Sequence, residues 1–221
     1  MKTLRTGSRG LQVQYLQLLL KELNLYTGNI DGIFGNNTRN AVILFKKSAT
    51  IDETGIVDTS TWNALVPYAK VPTTIAYSYD IMMLNIQRLI LKYPFLDIGS
   101  IGVSVMRKNI PYIRLGFGNN HVLYVASTHA NEWITSPVLM KFIEDFSDAY
   151  LQDATLEGIN AKEIYESTSI FIVPMLNPDG VDLVVNDIDT LSSEYIEAKK
   201  ISQNYPTLPF PSGWKANIVR N

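Results

Sequence analysis

The stretch Ser127–Ile134, STHANEWI, holds two side chains that could grip a metal: His129 and, three residues on, Glu132. Zinc takes imidazole nitrogen and carboxylate oxygen, and a catalytic zinc typically has three protein ligands and a water. A lone His-x-x-Glu also has a plainer reading, a loop histidine hydrogen-bonded to a nearby carboxylate. The chain has two histidines and no cysteine, which excludes disulfides and thiolate metal sites. The second histidine, His121, precedes His129 by eight residues. Along an extended strand that separation is about 26 Å at ~3.3 Å per residue, too far for both to reach one ion. No other motif points to a third donor.

The elements that must position this pair read as an α/β sheet. SIGVSV and PYIRLGF alternate apolar with small or polar residues, as half-exposed strands do. HVLYVAS and SIFIVPML are continuous apolar runs, which predict central strands covered on both sides. Between them a helix is predicted over Pro137–Tyr150, with Val138, Leu139, Phe142, Ile143, Phe146 and Tyr150 inward. Another is predicted over Tyr79–Tyr93, burying Ile81, Leu84, Leu89 and Ile90. The pattern implies helices on both faces of the sheet. Ligands collect at the carboxyl ends of such strands, where STHANEW and Asn177–Gly180, NPDG, both fall. Asn, Pro, Asp and Gly each favour turns, so Asn177 and Asp179 are read as turn formers.

The first seventy or so residues have a different texture. Val13, Leu16, Leu20 and Leu23 form one face of a helix for which Ser8 is the predicted cap. A second helix is expected over Thr38–Lys47, opened by Asn36 or Asn37, with Ala41, Val42 and Phe45 inward. A third begins near Asp58 and presents Trp62 and Leu65. Asp31-Gly32 signals a turn in the first loop, and Gly35 is expected to supply a positive φ there. This is a small all-α three-helix bundle. VPYAKVPTT, Val66–Thr74, with two prolines, reads as a short stiff connector. The expected boundaries are a bundle over 1–67, a linker over 68–76 and an α/β domain over 77–221.

A formal charge of −2, with basic residues scattered, gives no electrostatic case for nucleic acid. With 46% hydrophobic and 18% charged residues, the composition is that of a soluble globular chain with a real core. No run approaches the roughly 20 apolar residues needed to span a bilayer. Gln12, Gln14, Gln17, Lys21 and Glu22 interrupt the leucines near the N-terminus, so no signal peptide is visible. The compartment stays open, because a cysteine-free chain tolerates either redox state.

Two resemblances add to this. GLQVQYLQLLLKELNLYTGNIDGIFGNNTRNAVILFKKSATIDETGIVDTSTWNAL resembles a peptidoglycan-binding domain of bacterial cell-wall hydrolases. That implies murein as a partner, although Gly32, Phe34, Gly35 and Trp62 read as core rather than glycan contacts. YPFLDIGSIGVSVMRKNIPYIRLGFGNNHVLYVASTHANEWITSPVLMKFIEDF, then PMLNPDGVDLV and FPSGWKAN, resemble the zinc carboxypeptidase family, with the fold of carboxypeptidase A, over about Ser78–Asn217. Members with a peptidoglycan-binding domain in front and GWKAN are similar to γ-D-glutamyl-diaminopimelate endopeptidases, which cut the stem peptides of peptidoglycan.

The resemblance implies a zinc ion bound by His129 and Glu132. It also implies a third ligand from a histidine on a later strand, and a general base from a later glutamate. After WKAN the family continues with an arginine and GVDLN; this chain reads IVRN and stops at Asn221. Arg220 is the candidate for the substrate-gripping arginine, weakly placed at the chain end. The expectation is therefore a C-terminally shortened domain with an incomplete sheet that exposes an edge, an incomplete zinc site and impaired catalysis. The alternative is a non-catalytic peptidoglycan-binding protein with a relic peptidase domain.

Overall fold

The computed structural model describes residues 1–219. Three helices come first: α1 (Leu11–Glu22), α2 (Asn36–Ser48) and α3 (Thr59–Leu65). A turn of 3-10 helix at Val66–Tyr68 leads to α4 (Tyr79–Lys92). Then come β1 (Asp97–Val103), β2 (Asn109–Leu115), β3 (Asn120–Val125) and α5 (Thr135–Leu151). The short hairpin β4 (Thr155–Leu156) and β5 (Ile159–Asn160) precedes α6 (Ala161–Ser167), β6 (Thr168–Val173), α7 (Pro178–Val184) and α8 (Ser193–Ser202). No helix of the described residues is long and apolar enough to cross a membrane.

The bundle forms where the periodicity places it, with two local corrections. Asp58 caps α3 as expected, its carboxylate accepting from the Thr61 amide at 2.9 Å. Gly10, not Ser8, occupies the cap of α1. The carbonyl of Ser8 accepts from the Phe34 amide, and its hydroxyl accepts from the Arg5 amide at 3.0 Å. Those bonds hold Ser8 in the loop pairing, two residues short of the helix. The positive φ falls at Gly32 (70°), while Gly35 is extended and caps α2. Gln17, fully buried on α1, pins this loop: its carbonyl oxygen accepts from the Gly32 amide at 2.9 Å, and its amide donates to Asp31 at 2.8 Å and to the Ile33 carbonyl at 3.1 Å.

The bundle does not stand apart. One apolar cluster runs from Leu4 through Leu16, Phe45 and Trp62 to Leu89, Ile143 and Val181. Tyr15 on α1 donates its hydroxyl to the Lys70 carbonyl at 2.9 Å and accepts from the Asn85 side chain on α4 at 3.2 Å. Gln12 donates to Asp80, at the start of α4, at 2.8 Å. Ala69 and Tyr77, in the connecting segment, are buried in the same cluster.

The main sheet is mixed, in the order β1-β2-β6-β3, with β1, β2 and β6 antiparallel and β3 parallel to β6. Ile113, Leu115, Ile170 and Ile172 bury one face in the core. On the other, Phe171 meets the rings of Tyr112 and His121 edge-on or tilted, beneath the Arg114 guanidinium, and this face is far more open. β6 is the covered strand its apolar run predicts. β3 corrects the reading of HVLYVAS: it lies at the sheet edge and is exposed along all six residues. Nothing among the described residues pairs with its outer side. Val138 and Ile90, expected inward, are exposed as well; Val138 stands on the flank of α5 beside that uncovered edge.

Candidate metal centre

The loop that carries His129 and Glu132 is built from the end of β3. After Val125 the Ala126 amide still bonds to the Val173 carbonyl at 2.9 Å, and then Ser127 turns the chain with a left-handed φ of 51°. Such a conformation is costly for a residue with a side chain and needs local fastening. The fastening is visible. The Ser127 amide donates to the Thr135 hydroxyl at 2.8 Å, that hydroxyl donates to the Glu132 carbonyl at 2.8 Å, and the Ser127 and Ser136 hydroxyls meet at 2.6 Å. A turn of 3-10 helix, Ala130–Glu132, follows, with Ala130 fully buried.

The result brings the two expected side chains together. His129 Nδ1 lies 3.0 Å from Glu132 Oε1, and both side chains are about half exposed (54% and 50%). The donor types suit zinc. The number does not: among the described residues no three His, Cys, Asp or Glu side chains gather where they could hold a metal ion. A two-donor contact also has the geometry of the plainer loop hydrogen bond. His121 is not brought to the pair; it opens β3, opposite Ser169, against the Phe171 ring. Arg220 lies outside the described residues.

Asn177 and Asp179 turn out to do more than form a turn, because Pro178 starts a helix. Asn177 caps α7, its carbonyl oxygen accepting from the Gly180 amide at 3.0 Å, while its amide donates to the Ala216 carbonyl at 3.1 Å. The neighbouring Lys215 carbonyl accepts from the Ala130 amide at 3.0 Å. Thus α7 holds the 215–216 segment, and that segment holds the turn between His129 and Glu132.

Asp179 and Asp182 belong to a buried ionic cluster that no short motif announces. Asp179 accepts from the Ser104 hydroxyl and the Met106 amide, each at 2.9 Å. Lys108 reaches Asp182 at 2.7 Å and Asp179 at 3.4 Å, and Asp182 also accepts from the Tyr79 amide at 2.8 Å. Burial pushes the Asp182 carboxyl up to about 7, against the pull of Lys108. Burial pulls the Lys108 ammonium down, but the two carboxylates outweigh it and leave it above its ordinary value. The readable signal was the spacing of Asp179 and Asp182, one helical turn apart on α7.

The zinc carboxypeptidase family matches residues 82–205, and a peptidoglycan binding domain matches residues 9–65. Gamma-D-glutamyl-L-diamino acid endopeptidase 1 of Lysinibacillus sphaericus is 43% identical over 142 residues, covering 64% of this chain and 35% of that protein. The uncharacterized protein YqgT of Bacillus subtilis (strain 168) is 35% identical over 137 residues, 61% of this chain and 35% of that protein. The chain thus spans about a third of the length of these relatives. Among solved structures, bovine thrombin-activatable fibrinolysis inhibitor, in complex with tick carboxypeptidase inhibitor, superposes at a TM-score of 0.44 with 17% identity, over 64% of this chain and 37% of that one. The SleB N-terminal domain aligns at a TM-score of 0.30 with 32% identity, over 31% of this chain and 94% of that one. With more than half of its residues matched by the family, the chain belongs to the zinc carboxypeptidases.

Proposed function

We propose that this chain is a peptidoglycan-directed metallopeptidase of the zinc carboxypeptidase family, with a murein-docking bundle over 1–67, a linker over 68–76 and a peptidase-type domain over 77–221. In this reading His129 and Glu132 are two of the zinc ligands, and the bond cleaved is a γ-D-glutamyl-diaminopimelate or related stem-peptide bond. The observation that carries it is the order of the two matched segments in one chain, a peptidoglycan binding domain followed by a zinc carboxypeptidase. The similarity to a protein named for endopeptidase action on a γ-D-glutamyl-L-diamino acid bond supports the substrate class. Among the described residues His129 and Glu132 would supply two of the donors that a catalytic zinc takes.

A second reading, a peptidoglycan-binding protein whose peptidase-type domain is a relic, is favoured by one observation: the 3.0 Å contact of His129 Nδ1 with Glu132 Oε1 has the geometry of an ordinary loop hydrogen bond. Incubation of the chain with purified murein sacculi and zinc separates the two. Co-sedimentation with release of new amino groups supports the peptidase. Co-sedimentation without release supports the relic, and loss of both effects removes the peptidoglycan assignment altogether.

A further inference from the structure

The turn that carries His129 and Glu132 is fastened from outside as well as by its own Ser127, Thr135 and Ser136 bonds. The chain leaving β6 stays bonded to the chain leaving β3 beyond the last strand pair. The Leu176 amide donates to the Ala126 carbonyl at 3.0 Å, and the Asn177 amide donates to the Ser127 carbonyl at 3.1 Å. Between His129 and Glu132 the next outside tie is the Ala130 amide, held by the Lys215 carbonyl at 3.0 Å.

Asn177 joins these ties. It is buried, 4% exposed, and both ends of its side chain are in use. The oxygen caps α7 through the Gly180 amide, while the amide group holds the Ala216 carbonyl, next to Lys215. Gly180 lets α7 lie directly against the turn. A Cβ at that position would stand 2.7 Å from the Ala130 Cβ and 2.6 Å from the Asn177 amide nitrogen, closer than side chains approach. All seven residues of α7 are buried, and Asp179 and Asp182 tie the helix to Ser104, Met106, Lys108 and Tyr79. The turn is thus braced against a fixed base. Two half-exposed donors hold a cation only as well as their backbone keeps their spacing, because motion frozen on binding costs entropy.

We propose that Asn177 is the positioning residue of the metal pair: by capping α7 and holding Ala216 together, it fixes the Ala130 turn and with it the spacing of His129 and Glu132. It acts through the turn, not as a ligand. The inference rests on the reading of His129 and Glu132 as zinc ligands.

Two substitutions separate positioning from plain stability. Asn177→Ala removes both the cap and the hold on Ala216. Asn177→Ser keeps a capping oxygen but loses the amide that holds Ala216. Competition against a chromophoric zinc chelator is expected to show both variants binding zinc about 10–100-fold more weakly than the unaltered chain. Asn177→Ser recovers much of the urea midpoint that Asn177→Ala loses, without recovering zinc affinity. Gln17→Leu, which breaks a buried amide network in the bundle, lowers the midpoint and leaves zinc affinity unchanged. In the metal-free chain, the Ala130 amide exchanges at least about tenfold faster in both Asn177 variants, relative to the amides of β6. Zinc affinity that returns with stability in Asn177→Ser, an equal loss in Gln17→Leu, or an Ala130 amide indifferent to both substitutions would each overturn the proposal. An unaltered chain that takes up no zinc would instead overturn the ligand reading beneath it, and the proposal with it.

Discussion

Lys108 and Asp182 meet at 2.7 Å inside the protein, although one precedes β2 and the other lies on α7. The second oxygen of Asp182 takes the Tyr79 amide at the start of α4, so this carboxylate joins three elements that are distant in sequence. Its neighbour Asp187 accepts from Gln12 at 3.2 Å and pairs with Lys2 at 3.4 Å, which carries the connection into the bundle.

That cluster predicts how stability changes with pH. Asp182 has a carboxyl raised from 3.8 to about 7 by burial, so the folded chain holds its proton more tightly than the unfolded chain does. The stability this contributes is fully present below about 4 and is lost as pH rises through about 7. Asp58 and Asp148 are held below their ordinary value, so their titration falls outside the upper part of this window. Urea unfolding at pH 5.5 and pH 8 is expected to show a loss of about 2 kcal/mol at the higher pH, and Asp182→Asn to flatten the difference. A midpoint that rises between those two values would contradict the assignment.

Gln17→Leu is expected to destabilise the chain by about 1–3 kcal/mol, because it strands the buried Gly32 amide, whereas the Ile33 carbonyl keeps the Gly35 amide at 2.9 Å. Sedimentation with murein should weaken in parallel if that loop shapes the docking surface. Denaturant titration and a pull-down on the same preparation check both outcomes.

Tyr15→Phe removes the hydroxyl that links α1 to the Lys70 backbone and to Asn85. A cost of about 1–2 kcal/mol is expected. Because the apolar cluster runs unbroken from the bundle into the α/β part, calorimetry should show one transition for the chain and for this variant, shifted down in temperature. Two separated transitions would mean that the bundle unfolds on its own.

His129→Ala and Glu132→Gln should each abolish zinc uptake measured by equilibrium dialysis while leaving the circular dichroism unchanged, since both side chains are about half exposed and neither supports the core. Ser136→Ala should reduce uptake less, because it removes only the 2.6 Å contact that braces the Ser127 turn. Equal uptake by all of these chains would move the metal elsewhere.

Much of this molecule is legible in the chain itself. The Asp58 cap, the apolar periodicity of α1, α2 and α4, and the placement of His129 and Glu132 just after a strand are local facts, set by residues within a few positions of each other. Such signals survive without knowledge of the rest of the fold. Other features were decided only when distant segments met. HVLYVAS and SIFIVPML read alike, yet among the described residues β6 has neighbours on both sides and β3 on one, so one run is buried and the other exposed. Asn177 and Asp179 look like turn residues until the Ala216 carbonyl and the Met106 amide arrive to receive or supply their hydrogen bonds. Periodicity reports which face of a segment is apolar, whereas the partner that covers that face is chosen by long-range pairing, which only the tertiary structure decides.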